Sequence, residues 1–184
     1  MSEQKFLLES QIREIYGRVV YTHKTHEKCA DVLKERNDSL KIAEIVLSAL
    51  TTTSILVLIF GEGKIFQFVA ALFSTLLLCL TLYSKDYNLL ALAEKHKQAA
   101  LDILEIREKF LSLLVDIRIG NVDIITLQEA RDKLNEQLVN TYRGAPKTIN
   151  KAYKIASKAL QENEEFTFSN EEIDKFLPAS LRKL

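Results

Sequence analysis

Two long apolar runs separated by a four-residue turn constrain this chain more than any other feature of its sequence. The first run covers residues 42–60 and the second covers residues 65–84, with the sequence GEGK between them. Between Glu44 and Lys85 the only charged residues are those of the turn. A helix needs about 20 apolar residues to cross a hydrocarbon core of about 30 Å. We therefore predict a transmembrane hairpin, because so short a turn makes the helices antiparallel and leaves both flanks on one side of the bilayer.

The overall composition conceals this division between apolar and charged segments. Mean hydropathy is −0.01 and charged residues make up 27% of the chain, yet residues 42–84 hold only three of them. The 25 basic and 25 acidic residues balance, so the basic excess of nucleic-acid-binding proteins is missing and we predict no nucleic-acid partner. Only five Gly and two Pro occur and no strand pattern is visible, which predicts an all-α membrane protein. The two cysteines do not form a disulfide framework and suit a reducing compartment.

The charges that flank the two spans predict the orientation of the hairpin. Lys34, Arg36 and Lys41 precede the first span and Lys85 follows the second, whereas the turn contributes one basic and one acidic residue. Because basic residues favour the cytoplasmic side, we expect both termini in the cytoplasm and only GEGK outside. The N-terminal segment is polar and has no cleavable signal pattern. The prediction is a multi-pass protein whose first partner is the lipid bilayer.

The segments on either side of the hairpin carry matching apolar seams. In residues 3–36 and 85–119, seam residues recur at alternating steps of three and four, the period of a coiled coil or helix bundle. One segment runs toward the membrane and the other away, so each is the natural partner of the other, although pairing between chains would produce the same pattern. We expect a helix break with a new N-cap at residues 37–39 and one unbroken helix over 85–119. The seams are Leu8, Ile12, Ile15, Val19, Thr22, His26, Cys29 and Leu33, and Leu89, Leu92, His96, Ala99, Ile103, Ile106, Phe110, Leu113 and Ile117.

Turn and capping residues divide the remainder of the chain into short helices. Gly120 ends the long helix, Asp123 caps the next one, and Ser169 with Glu172 forms a capping box. The predicted organisation is an N-terminal cytosolic helix (1–41), the transmembrane hairpin (42–84, with spans 42–60 and 65–84) and a cytosolic helical region (85–184, with helices at 85–119, 123–141, 147–161 and 170–177).

Polar side chains inside the spans are the candidate functional residues. Such residues either bond to neighbouring helices or line a water-filled path, and the sequence leaves both alternatives open. Two helices alone cannot enclose a pore, so conduction would require several protomers. The candidate pore-lining residues are Glu44, Ser48, Thr52, Gln67, Ser74 and Thr81.

Outside the spans the titratable residues suggest little chemistry. His26 and His96 lie on the two seams at similar distances from the bilayer, which makes them a candidate pH-sensitive pair. His23 and His26 are spaced to share a metal, but Cys29 rotates off their face and no fourth ligand is evident, so we predict neither a metal nor a cofactor. GEGK lacks the spacing of a phosphate-binding loop, and no nucleophile with a general base stands out. We therefore predict that the protein is not an enzyme.

Three features of the sequence together resemble the SLATT family. They are the residues Arg13, Tyr16, Gly17 and Tyr21 on the first helix, a hairpin with a very short turn, and a charged helix beginning SKDYNLLALAEKHKQAA. These are two-transmembrane effector domains associated with bacterial nucleotide signalling and defence. The resemblance covers about residues 5–160. It implies an effector of the bacterial inner membrane that assembles into homo-oligomers, forms pores or otherwise disrupts the membrane, and arrests or kills the cell. It also implies a separately encoded sensor or nucleotide-producing enzyme as partner.

Two other functions fit the same sequence. The hairpin could be a passive anchor for coiled-coil seams that recruit a cytosolic partner. Alternatively, the protein could be soluble or monotopic, with the apolar hairpin buried in the core of an oligomer.

Overall fold

A computed structural model describes residues 3–60 and 64–183, without the side chains of residues 58, 60 and 64. Within these ranges the fold is all-helical, with no strand, which confirms the predicted fold class. The predicted turn at residues 61–63 lies outside the described residues. The helices are α1 (Glu3–Phe60), α2 (Lys64–Asp86), α3 (Leu89–Ile119), α4 (Ile124–Gly144), α5 (Asn150–Gln161) and α6 (Asn170–Phe176), followed by a 3-10 turn (Ala179–Leu181).

Helix α1 is continuous over 58 residues, a length of about 87 Å at 1.5 Å per residue. The predicted break at residues 37–39 is therefore wrong. The Ser39 hydroxyl donates to the Glu35 carbonyl at 2.9 Å, a bond compatible with helix continuation rather than a cap. Leu33 and Leu40, on either side of the polar segment, pack against the same small cluster from α3. This packing holds the helix together across residues that would otherwise favour a break.

The second arm, in contrast, is interrupted where an unbroken helix was predicted. Helix α2 ends at Asp86 and α3 begins at Leu89, so residues 85–119 do not form one helix. Asn88 is the N-cap of α3, and its side chain accepts a hydrogen bond from the Ala91 N–H at 3.0 Å. An asparagine in this position satisfies a backbone donor that a continuous helix would pair internally. The polypeptide thus has a joint between the second apolar helix and the helical bundle.

The helical bundle outside the hairpin is built on the antiparallel pair of α1 and α3, joined by α4. Its fully buried residues include Ile12, Val19, Ile103 and Phe110, and α4 adds apolar residues such as Leu127 to the same core. At the end far from the hairpin, Arg118 Nε donates to Glu9 Oε1 at 2.8 Å. Helix α5 contacts α1 and buries three small residues spaced for one helix face: Ala152, Ala156 and Ala159.

The predicted capping residues in the C-terminal half are confirmed. Gly120 adopts φ 83° where α3 ends, Asp123 accepts from the first backbone N–H groups of α4, and Ser169 with Glu172 forms the capping box of α6. Helix α4 extends to Gly144, beyond the predicted residue 141, and α5 begins at Asn150 rather than at 147.

In the hairpin, α1 packs against α2 through a narrow face, and most other side chains are exposed. Leu47, Thr51 and Ser54 on α1 are buried or half-buried, as are Ala70 and Phe73 on α2. Large apolar side chains outside this face are open, including those of Ile45, Ile59, Ile65 and Phe68, each at least 67% exposed. An apolar surface of this extent is typical of a segment that lies in lipid or against other chains.

Candidate functional site

Five hydroxyl groups within the spans donate to the backbone of their own helices. Those of Thr51, Thr52, Thr53 and Ser54 each donate to the carbonyl four residues earlier at 2.8–2.9 Å. The Thr75 hydroxyl donates to the Ala71 carbonyl in the same way at 2.8 Å. Each hydroxyl therefore has its proton satisfied inside the helix, while its oxygen can still accept a hydrogen bond from water or a neighbouring group.

Five of the six candidate pore-lining residues point away from the contact between α1 and α2. Thr51, the residue before Thr52, instead lies half-buried in that contact. The structure therefore divides the hydroxyls of α1 between an inner position and an outer surface. The exposed candidates, which we call the outer polar residues, are Ser48, Thr52, Gln67, Ser74 and Thr81.

The sixth candidate, Glu44, is half-buried near the end of the hairpin that joins the helical bundle. Its Oε1 is buried and has no hydrogen-bond donor among the described protein groups, and the same holds for Ser84 Oγ on α2. Polar atoms enclosed in this way raise the free energy of the packed state. Glu44 and Ser84 mark the most polar part of an otherwise apolar contact.

Below the hairpin, the structure brings His26 and His96 together in the buried contact between α1 and α3. Their Nδ1 atoms are 2.9 Å apart, and the two residues are 2% and 1% exposed. One Nδ1 must donate and the other accept, so two neutral rings need opposite tautomers. Burial, followed by the nearby charges of His96 and His23, lowers the pKa of His26 to about 4. Burial also lowers the pKa of His96, so both rings are neutral at pH 7.

Around this pair α1 is covered on every side. His23, Lys24, Thr25 and His26 are consecutive and each is at most 7% exposed. Successive residues of an α-helix are rotated by about 100°, so four buried in a row leave no free face. Helices α3 and α5 contact α1, and residues 162–169, which we call the C-terminal strap, cover the region of His23 and Lys24.

The C-terminal strap is held by one ion pair and one aromatic ring. Lys24 Nζ lies 2.6 Å from Glu165 Oε2. The ring of Phe166 stacks on His23 with 5.6 Å between centroids, and it lies 4.6 Å from Lys24 Nζ and 4.7 Å from the Arg107 guanidinium carbon. Burial opposes the charge of Lys24, but hydrogen bonds to Glu165 and Glu27 outweigh it and raise the Lys24 pKa.

Sequence analysis placed residues 162–169 between two predicted helices and missed these contacts. The one signal available was the pair of aromatic residues Phe166 and Phe168 inside a segment that is otherwise charged and polar. Such residues often mark a loop that packs onto the protein surface.

The helix motif behind the family resemblance lines a surface groove of about 960 Å³ between α1, α4 and α5. Arg13, Gly17 and Tyr21 form its α1 wall, opposite Tyr142 and Tyr153. Tyr16 packs on the edge of the bundle core. In the part of the chain that the structure describes, no three His, Cys, Asp or Glu side chains lie close enough to share a metal ion. Burial raises the pKa of Cys29, which keeps its thiol protonated.

Two of the described helical stretches, Glu3–Val57 and Ile65–Ile119, contain windows long and apolar enough to cross a membrane. Two such spans joined to a helical bundle define a class of two-span membrane protein. Residues 8–172 match SMODS and SLOG-associating 2TM effector domain family 4. The chain belongs to this family, which confirms the SLATT resemblance. It is a family of two-transmembrane effectors associated with defence systems and is not a known enzyme family. No curated protein and no solved structure matches the chain.

Proposed function

We propose that this chain is the membrane-permeabilising effector of a bacterial defence system. Several copies assemble in the inner membrane with both termini in the cytoplasm, and their hairpins form a pore that depolarises the membrane and arrests or kills the cell. A separately encoded sensor or nucleotide-producing enzyme supplies the signal. The observation that carries the proposal is the outward orientation of the outer polar residues, which belong to both helices of one hairpin.

The position of these residues favours a role between chains. In a single hairpin Ser48, Thr52, Gln67, Ser74 and Thr81 face the surroundings and not the partner helix. In lipid such positions gain nothing from being polar, whereas in a ring of hairpins the same surface provides a hydrated wall. Glu44 lies at the cytosolic end of that wall, where a carboxylate favours the entry of cations.

The hydroxyl geometry is compatible with both a closed and an open arrangement. The Thr52 proton is donated to the Ser48 carbonyl at 2.9 Å, so exposure to lipid leaves no donor unpaired. When the same surface meets water, the hydroxyl oxygen accepts a hydrogen bond without breaking the helix. Thr52 is therefore tolerable in lipid and useful in a pore.

The test is a membrane-potential assay in bacteria with a voltage-sensitive dye, both on strong induction and during phage infection. We expect the parent protein to depolarise cells and Thr52→Leu/Ser74→Leu to lose that activity at an equal amount of membrane-inserted protein. The matched control is Thr53→Leu/Thr75→Leu, which removes two exposed hydroxyls with similar backbone bonds from positions outside the candidate set. Equal depolarisation by the Thr52/Ser74 variant would show that these residues do not line the path.

A second function, a passive scaffold, is favoured by the surface of α5. Lys151, Lys154 and Lys158 follow one another at steps of three and four on α5 and are all exposed, whereas the alanines are buried. Such a stripe suits an acidic partner protein. If the inserted protein leaves the potential unchanged in both conditions, the scaffold function is the better one, and a chain lacking residues 42–84 should still bind that partner.

A further inference from the structure

The strap contacts suggest a role in controlling the effector, and this inference rests on the proposed function. Helix α1 carries Ser48 and Thr52 at one end and His23 and Lys24 nearer the other, with no Gly or Pro between Lys24 and Thr52. A rotation or slide of α1 at Lys24 must therefore appear at Thr52. The contacts that hold α1 outside the hairpin therefore also determine where the outer polar residues point.

Helix α1 is most fully enclosed at residues 23–26, where the C-terminal strap packs on it. Phe166 lies between a cation of α1 and a cation of α3, Lys24 and Arg107. Arg107 also lies 3.3 Å from His23 Nδ1. The strap thus fastens the two long helices to each other across a distance of more than 80 residues in sequence. While it is in place, α1 cannot turn relative to α3 without breaking these contacts.

The C-terminal strap can dissociate from the bundle without leaving the charge of Lys24 unpaired. Lys24 Nζ also lies 3.0 Å from Glu27 Oε2, so its charge keeps a partner when Glu165 leaves. The segment beyond the strap is weakly packed, since Phe176 of α6 is 84% exposed. With the strap in place, a surface groove of about 580 Å³ lies beside it, lined by Val20 and Leu111 and by Phe168 of the strap itself.

We propose that the C-terminal strap is an autoinhibitory contact. Glu165 and Phe166 lock α1 against α3 and hold the effector at rest, and displacement of the strap frees α1 to reorient the hairpin. The strap is displaced by whatever competes for its acidic and aromatic side chains or for the His23–Lys24 surface.

The experiment compares Glu165→Lys, which places a cation against Lys24, with Glu164→Lys. Glu164 is an exposed neighbour, so the control makes the same charge change in the same loop. We expect Glu165→Lys to increase hydrogen exchange several-fold in residues 19–27 of the purified full chain, and to lower the induction level needed for depolarisation several-fold. Glu164→Lys should match the parent in both assays, and Phe166→Ala should act like Glu165→Lys.

The outcomes separate the strap from the pore. If Glu165→Lys and Phe166→Ala loosen residues 19–27 but depolarise cells no more readily than the parent, autoinhibition is overturned and the pore proposal stands. If neither variant changes exchange in residues 19–27, the strap does not restrain α1 and the inference is wrong. If the parent and every variant leave the potential intact, the pore proposal itself fails, and autoinhibition fails with it.

Discussion

Single residues make the stability of the helical bundle depend on pH. His26 has a pKa of about 4 in the folded protein against an ordinary value near 6.5, so at intermediate pH the unfolded chain binds more protons. The contribution of His26 to the free energy of unfolding is therefore fully present above about pH 6.5 and is lost as the pH drops toward 4. The loss attributable to His26 is on the order of 3 kcal/mol. Thermal unfolding in detergent, followed by helical circular dichroism, should show a lower Tm at about pH 4.5 than at about pH 7.5.

The control for this prediction is His26→Leu/His96→Leu. Replacing both rings together leaves no unpaired nitrogen, so the variant should fold at neutral pH. Its Tm should fall less on acidification than that of the parent. Some pH dependence should remain, because burial also lowers the pKa of His23, which lies beside Glu27, Arg107 and Lys24. An equal fall in the two proteins would mean that the imidazole pair does not cause the acid sensitivity.

Among the elements, the joint between α2 and α3 depends on one side chain. The Asn88 side chain accepts from the Ala91 N–H, and loss of an N-cap costs about 1 kcal/mol. Asn88→Ala should therefore lower the free energy of unfolding by about that amount, measured by chemical denaturation of the detergent-solubilised protein. Asn88→Asp keeps the acceptor and should retain most of the stability. If the alanine and aspartate variants are equally stable, the Asn88 cap does not stabilise the start of α3.

The helices also show what sequence reasoning could reach. Periodicity predicted the partners α1 and α3, because burial of an apolar seam is favourable, and Ile12 and Ile103 are indeed fully buried. The predicted seam residue Leu92 is exposed, and Ala93 is buried in its place. It could not place the breaks, since residues 37–39 and Asn88 offer the same kind of capping side chain. The difference lies in packing: Leu33 and Leu40 hold α1 to α3 across the first position.

The candidate site was predictable to a similar degree. His26 and His96 could be paired from their similar distance to the hairpin. The outer polar residues were recognised as polar residues in apolar spans, but Thr51 could be separated from them only once the face toward α2 was known. The contacts of the strap could not be predicted from the sequence, because Glu165 and Lys24 are far apart in the chain and the loop has no periodicity.

For the whole molecule, the arrangement across the membrane is the first property to establish. We expect Glu62→Cys, in the turn, to react with a membrane-impermeant thiol reagent in intact spheroplasts. We expect Lys133→Cys, on the exposed face of α4, to react only after permeabilisation. Both belong in a Cys79→Ala background, since Cys79 is exposed within a span. The reverse labelling pattern would contradict cytoplasmic termini, and release of the protein by alkaline carbonate would contradict membrane insertion.

Because α1 is continuous, a movement at one end of the helix is transmitted to the other end. Lys24 and Thr52 are 28 residues apart on one helix, about 42 Å at 1.5 Å per residue, and no joint between them absorbs movement. A slide by one helical turn would carry Thr52 to the depth that Ser48 had occupied, so one hydroxyl would replace another at the same level of the bilayer. Under the autoinhibition that we propose, a molecule that binds α1 near Lys24 would move the hairpin without entering the lipid.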